Sequence, residues 1–218
     1  LLYGFVTGTA ATGCWVVAHE CGHGAFSDNR KLQDAVGYML HSALLVPYFS
    51  WQRSHAVHHA RTNHLTEGET HVPAVAGTAK GDLGFHVKES IGEGPWALFN
   101  SIIVFLFGWP AYLLAGASGG PVRGQTNHFV PTMGEQGRHC LFPGAYKRKV
   151  WFSDVGVVAT LAALAAWGAQ VGAAKVLCAY GLPYLFTNFW LVLYTWLQHT
   201  DVDVPHYDDE DWNWVKGA

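Results

Sequence analysis

Charge is scarce in this chain. Lys, Arg, Asp and Glu together make up 13% of its 218 residues, about half the usual share of a soluble domain. The formal net charge is −3 and no basic stripe is present, which argues against a nucleic-acid partner. The four cysteines, Cys14, Cys21, Cys140 and Cys178, include no CxxC pair, so neither a disulfide framework nor a zinc ribbon is indicated. There is no internal repeat or low-complexity tract, and residues 75–84, containing Gly, Thr and Lys, read as a surface loop. The chain opens inside an apolar run without a Met and stops after Trp214-Val215-Lys216-Gly217-Ala218. The expectation is one domain, residues 1–218, belonging to a longer protein and incomplete at both ends.

Apolar and aromatic residues are in excess. Half the chain is hydrophobic and 14% is aromatic, and its ten Trp and nine Tyr suit side chains lying at a membrane–water boundary. Apolar stretches occupy residues 1–18, 36–51, 96–117, 152–174 and 176–198, and a helix needs about 20 residues to cross a bilayer. The first reads as the tail of a spanning helix, the second is short, and Gly108-Trp109-Pro110 interrupts the third. The last two are full length and parted only by Lys175, as in a helical hairpin. Any one of them could be a buried helix of a soluble protein; together they predict an all-α, polytopic membrane fold. Apart from Lys175, the basic residues lie between or beyond these stretches, Arg30, Lys31, Arg61 and Lys147 to Lys149 among them. By the positive-inside tendency the polar segments are cytoplasmic and Lys175 is on the far side.

Histidine is the other excess, with thirteen unevenly placed. The stretch HECGH, residues 19–23, fits the HExxH pattern of zinc metalloproteases, with Glu20 as general base. On a helix, His19 and His23 share one face, one turn apart. SHAVHH adds His55, His58 and His59, whose spacing is again read as one face, and LQHTDVDVPHY adds His199 and His206. All stand at ends of apolar stretches, where a water-facing site would form. Neutral imidazole suits zinc, copper, iron or nickel. A catalytic zinc takes three protein ligands and keeps one position open, so five histidines in two groups count for two metals. A membrane protease would draw a third ligand from a later helix, where Asp154 stands only at the start of its stretch, and would leave the 55–59 triplet unused. A haem protein would pair histidines within the membrane, whereas these cluster at helix ends. His41, His64, His71, His86, His128 and His139 are read as solvated or hydrogen-bonded side chains, His41 through a local hydrogen bond.

HECGHGAFSD, SHAVHH and LQHTDVDVPHYD, with the Trp residues and Gly217-Ala218 that follow, resemble the membrane fatty acid desaturases, in particular the plant-type oleate Δ12 (omega-6) enzymes of the endoplasmic reticulum. The likeness extends through LHSALLVPYFSW and GLPYLFTNFWLVLYTWLQH to nearly the whole chain. It implies two non-haem irons held by His19, His23, His55, His58, His59 and His199, with Glu20 and His206 in supporting positions. It implies O₂-dependent insertion of a cis double bond into a lipid-linked acyl chain, oleoyl to linoleoyl on a phospholipid, with electrons from a cytochrome b5-type donor. The irons would supply an oxidising power that no side chain has. The setting it implies is the endoplasmic reticulum membrane, rather than a plastid membrane, with the histidine boxes facing the cytoplasm. Omega-3 desaturases, acyl hydroxylases and acetylenases use the same scaffold and stay open as alternatives. Two departures stand out: Asp201 occupies a position where relatives often have another histidine, and the family's further HxxHH box is expected downstream of this segment. Ligands on one membrane face require an even number of crossings between them. Residues 36–51 are therefore expected to lie in the interface or to dip in and return, residues 96–117 to do likewise, and the hairpin 152–198 to cross twice.

Overall fold

A run of small residues along one side lets the first helix lie close against another. In a computed structural model describing residues 1–75 and 77–217, α1 spans Leu2–His23 and packs along α8, Leu182–His199. Tyr3 donates to the Ala179 carbonyl (3.1 Å), Thr187 Oγ1 to the Gly8 carbonyl (3.2 Å) and Trp190 Nε1 to Thr9 Oγ1 (2.9 Å). Gly4 and Gly8 face Leu182, Pro183 and Phe186 with no room for a side chain, the way small residues bring membrane helices together. Contacts that advance in the same direction on both helices make the pair parallel. The C-terminal ends of α1, bearing His19 and His23, and of α8, bearing His199, therefore lie at one end of the bundle.

Gly24, at φ 81, closes α1, a left-handed conformation that costs glycine little. Asn29 then caps α2, Arg30–Ala43, accepting from the amides of Lys31 and Leu32 at 3.1 and 3.3 Å. The apolar stretch 36–51 is not one continuous helix. It breaks at Leu44 to Pro47, with Leu45 at φ 58, because the residue before a proline is pushed out of helical conformation. The chain restarts as α3, Tyr48–Ala60.

Residues 75–84, expected as a loop, contain a helix start: Thr78 accepts from the Gly81 amide and opens α4, Ala79–Ile91. Ala76, in the same stretch, lies outside the described residues, as does Ala218 of the closing motif. After Gly92 comes α5, Glu93–Ala115, which runs through the expected interruption with Pro110 inside it. The proline removes one backbone donor, but Trp109, Tyr112 and Leu113 are buried with Leu191 and Val192 of α8, and that packing holds the turn. Among the described residues three helices are long and apolar enough to cross a membrane: Glu93–Ala115, Tyr146–Val171 and Ala173–His199. The last combines α7 (Ala173–Val176), a π-helical turn at Leu177–Gly181, and α8.

Two out-and-back excursions result. The chain leaves toward α4 at Val72 and returns from α5 at Ser118, and the Val72 amide donates to the Ser118 carbonyl at 2.9 Å. At 13 residues, α4 is about 20 Å long, shorter than the ~30 Å hydrocarbon core, and the α4–α5 pair brings the chain back to the level it left. The second excursion is α6, Tyr146–Val171, out, and α7–α8 back. Its turn is at Gly172, φ 92, rather than at Lys175, because that backbone conformation favours glycine. The outward face of α6 presents Val155, Val158 and Leu161, side chains suited to lipid. A short α9, Trp214–Gly217, ends the described chain, and one isolated β-bridge joins His64 to Tyr207.

The α1–α8 contact makes a direct prediction. A Cβ at Gly8 would stand 2.6 Å from both Phe186 Cβ and the Pro183 carbonyl, whereas one at Gly13 meets nothing within 4 Å. Gly8→Leu is expected to destabilise the protein by about 1–3 kcal/mol and Gly13→Leu to leave it unharmed, read as thermal unfolding in detergent. Equal melting of the two variants would contradict this packing.

Candidate metal centre

α3 carries the middle of the site. His55 Nε2 lies 2.9 Å from His19 Nε2, 3.0 Å from His23 Nε2 and 3.1 Å from His59 Nε2. His19 and His23 are themselves 3.2 Å apart through the same atoms. On the far side of the His19 ring, Nδ1 donates to Glu20 Oε1 at 2.9 Å, which leaves Nε2 of the neutral ring as the bare lone-pair nitrogen. Protons cannot satisfy this arrangement, since His55 Nε2 carries at most one hydrogen and has three nitrogens around it. A metal can: with bonds of about 2.1 Å, ligands at right angles stand about 3 Å apart. His19, His23 and His55 form a group able to hold an ion, their donor atoms all within 4.8 Å of one another.

The second box does not share one face. Successive helical residues turn by about 100°, so His55 and His59 face the first group while His58 turns away. The His58 ring is 5% exposed and stands 4.8 Å from the His199 ring. His71, expected to be an ordinary polar side chain, is here too: its ring stacks on His199 at 4.7 Å and 15° and lies 6.0 Å from His58. None of these three rings has a hydrogen-bond partner among the described residues, and His58 Nδ1 is buried without one. The two groups touch, with the His58 and His59 rings 5.6 Å apart.

Burial, with neighbouring imidazoles adding to it, holds His58 and His71 down to about 3, and drives His55 lower still. These rings are neutral at physiological pH, their lone pairs free for a cation.

The other histidines sort differently. His64 accepts from the amides of Thr66 and Glu67, His128 lies between the Leu113 carbonyl and Ser54, and His86 and His139 face Glu89 and Glu67. His41 departs from expectation: it is fully buried among Trp15, Trp51 and Tyr48, and neither ring nitrogen has a hydrogen bond. It fills space as an aromatic ring. His206 is half-buried in the loop after α8 and makes no ring contact with the cluster among the described residues. Glu20 stands behind His19 rather than facing the convergence point, which removes it from the place a protease base would occupy.

A buried polar chain braces α3 immediately before His55. Tyr112 donates to Glu69 Oε2 at 3.2 Å, Tyr112 and Ser54 hydroxyls meet at 2.8 Å, and His128 Nε2 lies 2.9 Å from Ser54 Oγ. Burial pushes the Glu69 carboxyl up to about 7, against the Tyr112 hydrogen bond and the Arg123 charge. Beside the histidines a cavity of about 1020 Å³ opens between α1, α5 and α8, its other walls formed by Trp15, Val104, Phe107, Leu191 and Val192.

The family model for fatty acid desaturases matches residues 1–216. The chain belongs to the fatty acid desaturase family. It is 42% identical to a Δ12 fatty acid desaturase of Mortierella isabellina over 99% of this chain and 55% of that protein. It is 40% identical to a Δ12 fatty acid desaturase of Arabidopsis thaliana over 100% of this chain and 54% of the relative. An omega-6 fatty acid desaturase, endoplasmic reticulum isozyme 2, of Glycine max is 39% identical over 100% of this chain and 54% of that protein. This desaturase-family chain thus spans about half the length of the curated relatives it matches. With its three span-capable helices, it is an integral membrane protein. The family generally depends on two irons, and the histidine cluster suits that requirement.

The polar brace is testable in this desaturase-family protein. Tyr112→Phe removes the donor to a carboxylate that is 2% exposed, and an unsatisfied buried group costs about 1–3 kcal/mol. The melting temperature in detergent is expected to fall accordingly; an unchanged value would mean that Glu69 finds another partner.

Proposed function

We propose that the whole protein is a membrane acyl-lipid desaturase that introduces a cis double bond at the Δ12 position, oleoyl to linoleoyl. The observation that carries this reading is the convergence of histidine nitrogens, 2.9–3.1 Å from His55 Nε2, on a wall of a largely apolar cavity. The names of the Mortierella and Arabidopsis relatives support the position of the bond.

His19, His23, His55 and His59 would hold one iron; His58 and His199 would contribute to a second. When bound, the two irons supply the means to reduce O₂ and remove hydrogen from an unactivated methylene. In the overall reaction two neighbouring C–H bonds break and a C=C bond forms. One O₂, two electrons and two protons are consumed with the two hydrogens, and two waters leave. The chain's own residues do the rest. Trp15, Phe107 and Leu191 line the cavity and would hold the acyl chain by apolar contact while excluding water. Glu20 keeps the His19 ring turned with Nε2 forward. His206 is assigned a supporting role in the loop. Electrons are assigned to a cytochrome b5-type donor. Residues 1–218 are taken as one desaturase domain in the endoplasmic reticulum membrane, its boxes facing the cytoplasm on the side of the basic residues, with phospholipid-linked chains as substrate.

Expression of the full-length protein in a yeast that makes oleate but no linoleate is expected to yield linoleate, read by gas chromatography. A hydroxylated or acetylenic product, or a bond at another position, would replace this reading with a sister activity. His58→Ala is expected to lower the product by more than 100-fold at normal protein level, beyond the ~10–100-fold typical of residues that only support a ligand. His86→Ala, exposed on α4, is expected to leave it unchanged. The segment 1–218 expressed alone is expected to form no diene, since the family carries a further histidine box downstream.

A further inference from the structure

We infer that Glu69 holds a transferable proton for the cavity beside the histidines and delivers it through Tyr112. The inference rests on the desaturase reading above, whose overall reaction takes up two protons in a cavity walled mainly by apolar side chains. Counting hydrogens is the first support. The buried chain that braces α3 makes four contacts in a row. Glu69 Oε2 meets Tyr112 at 3.2 Å, Tyr112 meets Ser54 at 2.8 Å, Ser54 meets His128 Nε2 at 2.9 Å, and His128 Nδ1 meets the Leu113 carbonyl at 3.2 Å. Two hydroxyls and a neutral imidazole bring three hydrogens to these four contacts. The Trp51 carbonyl, 3.0 Å from Ser54 Oγ, competes for one of them. The fourth hydrogen is an added proton, and only the ends of the chain can bind it: the Glu69 carboxyl or the His128 ring.

With that proton on His128, Tyr112 donates to a charged carboxylate. With it on Glu69, the hydrogen bonds run the other way and both ends are neutral. The two fillings differ only by a shift of each proton along its own hydrogen bond. Burial decides between them, since an unpaired buried charge is costly. Glu69 is 2% exposed and His128 fully buried. Arg123, whose charge faces Glu69, spends its guanidinium on the Glu67 and His139 carbonyls. Glu69 Oε1 has no hydrogen bond among the described residues. Burial accordingly pushes Glu69 up to about 7 and holds His128 down to about 4, so the added proton resides on Glu69 and is released near neutral pH. Tyr112 is both a link in the chain and a wall residue of the cavity. Its O–H bond breaks as the proton goes to an oxygen that leaves as water, and the Glu69 O–H bond breaks to restore it. No electron moves in this step. Glu69 is left as a carboxylate and is reloaded from solvent.

Glu69→Gln tests this, because an amide keeps a hydrogen bond to Tyr112 but carries no proton to transfer. Two readouts are taken on full-length protein. In metal-free wild type, the infrared carbonyl band of a protonated carboxyl is expected to fade as the pH rises through about 7, and the variant is expected to lack that band. In the iron-loaded enzyme supplied with reductant and O₂, wild-type turnover is expected to fall over the same rise, because the donor is protonated below its pKa and empty above it. The variant is expected to turn over more than 100-fold slower, on the ~10²–10⁴ scale of a general acid, and to lose that pH dependence. A wild type without the band, a loss of less than 100-fold, or a pH dependence that persists in the variant would show that the chain only braces α3, and would overturn the inference. Should Glu69→Gln not fold, Tyr112→Phe, which keeps the carboxyl and breaks the path, is measured in its place: the band is expected to stay and turnover to fall. A wild type that keeps the band but forms no double bond would instead overturn the desaturase reading beneath it.

Discussion

Neutral imidazole nitrogens have to meet at one end of a helical bundle, and much of this architecture follows from that constraint. Four of them approach within 2.9–3.2 Å although hydrogen bonds cannot satisfy them together. Each belongs to a helix end, α1 or α3, and the ends are brought together by helix direction. The close, parallel contact of α1 with α8 at Gly4 and Gly8 carries His19, His23 and His199 to the same level. The two out-and-back excursions, α4–α5 and α6–α8, return the chain to that level each time. A net odd number of crossings in either would place the donors on opposite faces.

Holding the donors there requires α3 to be stiff. Its start is pinned to α6, where the Phe49 amide donates to Ser153 Oγ at 2.9 Å and Tyr146 donates to the Phe49 carbonyl at 3.1 Å. Its middle is pinned through Ser54 to Tyr112, Glu69 and His128. Trp51 packs under His55, their rings stacked at 4.6 Å and 21°. The polar brace at Ser54 and the aromatic floor at Trp51 therefore act on neighbouring positions of the same helix turn, and the His55 ring has little freedom left. Such pre-positioning fixes the direction of the His55 ring nitrogens.

Much of this was legible along the chain. The HECGH and SHAVHH spacings, read at the helical period, mark helix ends where histidines converge, and apolar stretches of membrane length mark the α6–α8 hairpin. The parity of crossings required the chain to return to one level between the histidine groups, and it does so through the α4–α5 pair, although α5 is one continuous helix and not a broken stretch folding back on itself. What misled were features whose meaning depends on neighbours. Gly108-Trp109-Pro110 looks like a break, but burial of Trp109 against other helices keeps α5 continuous. The triplet looks like one face, yet the 100° between adjacent residues divides it between two groups. His41 looks like a hydrogen-bonded polar residue and is a buried ring among aromatics.

His71 shows most clearly where reading along the chain stops. Local spacing reports residues a turn apart on one helix, and THVP carries no period at all. Its place beside His199 depends on a loop held by Ser118, 47 positions further along the sequence, and on a backbone angle, φ 58, that no residue type announces. The sequence by itself determined the helices, the membrane class and the chemistry of the donors, because hydrophobic length, period and imidazole are local properties. Only the tertiary structure decided which donors share a point, because that depends on helix direction and on contacts between segments far apart in the chain.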